Sequence, residues 1–242
     1  MYRPCTSRII EDKMQNRHQS NVELIFAVAE RLGELVDKVV FCGGAVTGLL
    51  ITDRAAPDVS STKDVDAIVE VASFGEYAEA QEAVRKLGFK HDLSADAPNC
   101  RFIVDGIIVD LMPTDGSTFG WATTFYPAAV ESAEQHELTV GGKKLAVKVI
   151  SAPLFVATKL EAFADRGKGD YGGSKDMADV IAVVDGRVEL PDELEVADMA
   201  AQKYVRSFFA RLITDTAFND VVDYFGGDGG IILSKLESMA QS

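Results

Sequence analysis

The sharpest constraint on the fold is a change of character at Ser151-Ala152-Pro153. Before it, short β-branched runs alternate with helical stretches and are punctuated by glycine pairs. After it, only helical periodicity remains. Pro153 suits an early helix position, with Ser151 or Ala152 as cap. The pattern predicts an α/β (α+β) core with a mixed sheet over 1–150, followed by a helical half over 151–242. Helices are expected at 154–165, 175–185, 193–213 and 231–240.

Within the first half, residues 1–19 are polar and read as a loose arm. Ser20 and Glu23 have capping-box spacing, and apolar residues from Val22 to Val36 repeat at helical intervals, predicting a helix over 21–37. Lys38 to Cys42 (KVVFC) reads as a buried strand ended by Gly43 and Gly44, with a short helix over 45–51 behind it. Residues 52–63 have loop composition. Asp64 to Val71 alternates as a strand. Ser73 and Glu76 open another helix, which Gly88 ends. Asp105-Gly106 between two β-type runs is a hairpin signal, and a two-residue turn places Arg101 opposite Asp110. A second hairpin is expected over 137–150, around Gly141-Gly142. Gly226 to Gly230 reads as a turn before the last helix.

Composition excludes several classes. The chain has 242 residues, 47% hydrophobic and 26% charged, as in globular proteins. Its formal net charge of −14 opposes broad, sequence-blind nucleic-acid binding, although a local basic strip (Lys143, Lys144, Lys148, Arg166, Lys168) remains available. No apolar stretch is long enough to span a bilayer, and the N-terminus has no signal-peptide core, so a cytoplasmic location is expected. Cys5, Cys42 and Cys100 are too few and too dispersed for a disulfide framework or a zinc site. His18, His91 and His136 have no ligand-pair spacing.

Three features carry chemistry. Gly43 and Gly44, at a strand-to-helix turn, let a backbone approach a phosphate, and the helix behind offers free amides; a plain tight turn is the alternative. Asp64 and Asp66 share one side of a strand, where two carboxylates invite a divalent cation, Mg²⁺ or Mn²⁺ by their oxygen-only donors; solvated acids on an exposed face are the alternative. Asp110 ends an apolar strand, either as a third carboxylate of a metal site or as the salt-bridge partner of Arg101. Lys159 and Arg166, two helical turns apart, form a cationic face able to meet phosphates. Lys175, Asp176 and Asp179 begin another helix, where acids also suit the dipole. Trp121, Phe125 and Tyr126 form an aromatic cluster, either core packing or a platform for a base.

The order glycine pair, D-x-D, third aspartate resembles the nucleotidyltransferase superfamily with the polymerase-β-like fold, over roughly residues 38–113. The K-x-x-A-x-x-x-R segment, the glycine-rich loop and K-D-x-x-D extend the resemblance to about residue 185 and to the AbiEii-type nucleotidyltransferases, which include toxins of toxin–antitoxin systems. The resemblance implies that Gly43 and Gly44 hold the phosphates of an NTP, with Thr47 nearby, and that Asp64, Asp66 and Asp110 bind catalytic metals. It also implies that Lys159 contacts the nucleotide, aided by Arg166, and that Asp176 belongs to the active site. The implied reaction moves NMP to an acceptor hydroxyl, with a tRNA 3′ end as acceptor and a cognate antitoxin as partner if the toxin likeness extends that far. A small molecule or a protein side chain as acceptor, and a non-catalytic nucleotide-binding module, are the other readings of the same residues. One departure is the long spacer over 45–63 between the glycines and D-x-D, where the family has a short one. It is either a lid or acceptor loop, or a longer helix.

Overall fold

The computed structural model describes residues 6–114 and 123–241, with side chains from His18 onward. Seven strands form one mixed sheet: β1 (Val39–Cys42), β2 (Asp64–Val69), β3 (Lys90–His91), β4 (Arg101–Val104), β5 (Ile107–Pro113), β6 (Glu134–Val140) and β7 (Lys143–Val149). Their spatial order is β3-β4-β5-β2-β1-β7-β6. β2 lies parallel to β5 and antiparallel to β1, and β1 runs parallel to β7. The centre of the sheet is apolar on both faces: Phe41, Val65, Ala67, Ile68 and Phe102 are all essentially inaccessible. Everything after β7 is helical or loop, as the sequence predicts.

Both hairpins form at their glycines. Asp105 and Gly106 take φ of 49° and 82°, which matches the right-handed twist of the flanking strands. Val104 therefore faces Ile107, and Arg101 faces Asp110. Gly141 and Gly142 turn β6 into β7. Helix α3 (Phe74–Lys86) starts at the expected cap, where the Ser73 hydroxyl accepts the Glu76 amide at 3.2 Å.

Two expected boundaries move. Helix α1 spans Thr6–Leu32 and is followed by a 3₁₀ turn, so residues 6–19 are helical rather than a loose arm, and Ser20 lies inside the helix. The segment is rich in residues of good helix propensity, and extending a helix already held by its packed stretch costs little. The single helix expected over 193–213 is two: α7 (Leu190–Glu195) and α8 (Met199–Leu212). Asp198 separates them, its carboxylate accepting the Ala200 and Ala201 amides at 3.0 Å each as an N-cap.

Helices α2 (Gly43–Leu50), α4 (Tyr126–Glu131), α5 (Ala152–Arg166) and α6 (Lys175–Gly186) position the functional residues. α5 packs against α6 and α8, and α2 packs against α6, which joins the sheet to the helical half. The helix behind the glycines is not lengthened across the spacer. α2 ends at Leu50, and the amides of Thr52 and Asp53 then donate to the Gly186 carbonyl at 3.0 and 2.9 Å. At the other end, the wholly buried Asn21 of α1 donates to the Ser60 carbonyl and accepts the Thr62 amide, both at 3.1 Å. The spacer is thus fastened to α6 and α1, and none of its residues lines the cleft described below.

Candidate active site

The site is built on one transverse row of the sheet. Strand register sets Cys42 of β1 beside Asp66 of β2, Asp66 beside Asp110 of β5, and Asp110 beside Arg101 of β4. Asp64 lies two residues from Asp66 on the same side of β2. Alternation predicts the shared side of Asp64 and Asp66, and the Asp-Gly turn predicts Arg101 opposite Asp110; the parallel pairing of β2 with β5 is what sets Asp110 beside them.

They differ in their partners. Arg101 holds Asp110 by both oxygens, with Nε to Oδ1 at 2.8 Å and Nη2 to Oδ2 at 2.7 Å. The sequence offered a metal ligand or a salt bridge to Arg101 for Asp110, and this conformation shows the salt bridge. The Thr62 hydroxyl donates to Asp64 and accepts from Lys175 Nζ. Asp66 has no hydrogen-bond donor among the described residues, and burial pushes its carboxyl up to about 7. Lys159 opposes that rise, and the charges of Asp64 and Asp110 add to it.

Gly43 is required by this packing. It begins α2 at φ 67°, and a Cβ there would fall 1.7 Å from Asp66 Oδ2. Gly43→Ala is therefore expected to displace the Asp66 carboxylate and to lower stability by ~2 kcal/mol or more, from the strained φ and the clash together. Thermal melting checks this, and a melting temperature equal to wild type would contradict it. No side chain caps the first amides of α2, which leaves its N-terminus open to an anion. Thr47 does not join the site: it is fully buried, and its hydroxyl donates to the Gly44 carbonyl at 3.1 Å.

The helical half brings the cations. Lys159 of α5 donates to Asp176 Oδ1 at 3.1 Å and to Asp179 Oδ2 at 2.7 Å. Arg166 clasps the same Asp176 with Nε and Nη2, at 2.8 and 3.0 Å. Burial alone would lower the Lys159 pKa, but the two aspartates together raise it. Burial likewise opposes ionisation of Asp176, yet Lys159 and Arg166 hold its carboxyl below the ordinary value. Both expected cations thus reach the site, but each is bound to a carboxylate of α6.

The cleft between sheet and helices has two lobes, of about 560 and 450 Å³, which share Asp66, Arg101, Asp110, Lys159, Arg166 and Asp176. This capacity suits a ligand of nucleotide size. One lobe runs past Gly44, Asp64, Ser174 and Lys175. The other is walled by Cys100, Met112, Tyr126, Thr158, Glu161 and Asp165. Phe125 and Tyr126 are buried, Tyr126 donates to Met112 Sδ at 2.9 Å, and of these two Tyr126 lines the cleft. Trp121 lies outside the described residues. Burial pushes the thiol of Cys42 far up and that of Cys100 up to about 12, so neither is a thiolate nucleophile near neutral pH.

No group of three or more His, Cys, Asp or Glu among the described residues stands arranged to hold a metal ion. Asp64 and Asp66 nevertheless fit Mg²⁺, which commonly takes one or two carboxylates and completes its shell with substrate phosphates and water. The undonated oxygens of Asp66 are the specific mark. Asp110 would join only on leaving Arg101.

Sequence reasoning missed Thr62 and Asn21. No signal marked them, because their contact joins residues 41 positions apart.

No protein-family model matches the chain, and no curated protein matches its sequence. Among solved structures, the chain is similar to an antigenic nucleotidyltransferase-like protein from Paracoccidioides brasiliensis, with 18% identity over 86% of this chain and 92% of that one, at a TM-score of 0.50. The antibiotic-resistance factor ANT(2'')-Ia aligns at 14% identity over 80% of this chain and 95% of its own, at a TM-score of 0.48. Together with the mixed seven-stranded sheet and its flanking helices, the first likeness shows that this chain has a nucleotidyltransferase-like fold.

Proposed function

We propose that the protein is a metal-dependent nucleotidyltransferase, moving NMP from an NTP to an acceptor hydroxyl with release of pyrophosphate. The observation that carries this is the placement of Asp64, Asp66 and Asp110 beside the uncapped glycine start of α2, with no donor to the Asp66 carboxylate among the described residues. Mg²⁺ held there would neutralise phosphate charge and acidify the acceptor hydroxyl. The chain's own groups do the rest. Gly43 and Gly44 present backbone to the phosphates. Asp64 and Asp66 hold the cation, and Thr62 orients Asp64. Asp110 stands beside Asp66 and would receive the hydroxyl's proton once its carboxylate is released by Arg101. Lys159 and Arg166 fix Asp176 at the junction of the two lobes.

Two acceptors are supported by different observations. The motif resemblance supports a tRNA 3′ end, a toxin role and a cognate antitoxin. The cleft supports a small, cationic hydroxyl compound, because Glu161 and Asp165 line one lobe. Moreover, three lysines of the basic strip lie on the β6–β7 hairpin: Lys143 pairs with Glu30, Lys144 with Glu137, and Lys148 donates to the Asp37 carbonyl. None of these three lines the cleft.

Incubation with each α-³²P-NTP, Mg²⁺ and either total RNA or a panel of polyamino alcohols tests both readings. Wild type is expected to label one acceptor class. Asp64→Ala/Asp66→Ala is expected to lose on the order of a thousandfold in rate, as removal of several kcal/mol of metal-based stabilisation requires. Undiminished transfer by the double variant would refute the mechanism.

A further inference from the structure

We propose that Lys175, rather than Lys159, is the lysine that contacts the nucleotide's phosphates. The assignment rests on the nucleotidyl-transfer reading and names a contact within that site. The lobe beside Gly44 is lined by Arg101, Lys159, Arg166 and Lys175. Three of these cations already have carboxylate partners. Arg101 is bound to Asp110, Arg166 to Asp176, and Lys159 to both Asp176 and Asp179. Lys175 makes no ion pair among the described residues, and its hydrogen bond goes to the Thr62 hydroxyl at 3.1 Å.

Its position is specific. A Cβ built on Gly44 would lie 3.3 Å from Lys175 Nζ, so the ammonium rests against the first turn of α2. The first amides of that helix carry no side-chain cap. An ammonium has three donors, of which Thr62 takes one. Two donors therefore remain on an ammonium that lies next to the uncapped helix start, where both suit an anion. The stem of Lys175 is set by the start of α6, where the Ser174 hydroxyl accepts the Met177 amide at 3.3 Å. Thr62 links Lys175 to Asp64, so a phosphate held here adjoins a carboxylate placed for the metal. Lys159 cannot turn to a phosphate as readily. Its departure would leave Asp179, whose side chain is 3% exposed, without its cation.

Isothermal titration of the full chain with magnesium tripolyphosphate, and with α,β-methylene analogues of the four NTPs, tests the assignment. Lys175→Ala is expected to weaken tripolyphosphate binding about 10- to 100-fold, the worth of one charge-assisted contact, with unchanged melting temperature. Lys175→Arg is expected to retain most of the affinity. Lys203→Ala, which removes an exposed charge from α8 outside the cleft lining, is expected to bind as wild type does. The assignment is overturned if Lys175→Ala binds tripolyphosphate as tightly as wild type, or if Lys203→Ala weakens it equally, which would mean diffuse charge alone. If wild type binds neither tripolyphosphate nor any analogue, the nucleotide reading itself fails, and the assignment falls with it.

Discussion

Asp66→Asn is expected to abolish transfer and yet, at pH 8 in EDTA, to melt several degrees above wild type. The Asp66 carboxyl has an ordinary value of 3.8 and is pushed up to about 7 in the folded protein, first by burial and then by Asp64 and Asp110. Between those values the folded state binds more protons than the unfolded one. Stability therefore falls as pH rises through this window, and the cost is complete above about 7. At roughly 1.4 kcal/mol per unit, that cost is on the order of 4 kcal/mol. Asparagine removes the charge at similar volume. The gain should shrink toward pH 5, where the wild-type carboxyl is mostly protonated. Mg²⁺ should raise the melting temperature of wild type and not of the variant, because a cation held by Asp66 relieves the same cost. Melting curves at pH 5 and 8, with and without Mg²⁺, check all of this. A variant melting at or below wild type at pH 8 in EDTA would show that Asp66 carries no such cost.

Lys159→Met is expected to be the most destabilising single change in the helical half. Methionine keeps most of the volume of the side chain and removes only its charge and donors. Asp179 would lose its cation and Asp176 one of two. Removing one partner from a buried ion pair typically costs about 3–5 kcal/mol, which for a chain of this length lowers the melting temperature by roughly 10 °C. The sign with pH follows from Asp176, whose folded pKa is depressed against the opposing effect of burial by Lys159 and Arg166. Its contribution is present above the ordinary carboxylate value and is lost as pH falls through the depressed one. The gap between wild type and variant should therefore narrow in strong acid. Denaturation at pH 7 and pH 3 measures it, and a gap that widens on acidification would contradict the pairing.

What the sequence shows follows from how local each signal is. The shared side of Asp64 and Asp66 and the pairing of Arg101 with Asp110 were legible because strand alternation and a two-residue Asp-Gly turn are short-range rules, whereas the step from Asp66 to Asp110 depends on the long-range pairing of β2 with β5. Lys159 and Arg166 share a helix face for the same kind of reason. What they face was not legible, because Asp176 and Asp179 approach them from the next helix, and tertiary packing decides whether a cation meets a ligand or a neighbour. The N-terminal helix was under-read because residues 6–19 lack an apolar stripe, and extension from a packed helix leaves no periodic trace. The spacer was legible as loop, but its anchorage on Asn21 and Gly186 was not.

The transverse row also sets where this chain tolerates changes in length. In a strand, inserting or deleting one residue turns every later side chain to the opposite face. Such a change inside β2, β4 or β5 would point Asp66, Arg101 or Asp110 away from its neighbours. The spacer is under no such rule, because lengthening a loop costs little and its grip on the fold lies at its two ends. A protein organised this way can acquire or lose residues between the anchors at Asp53 and Ser60 without re-registering the site, whereas the strands that carry the row are held to a fixed count.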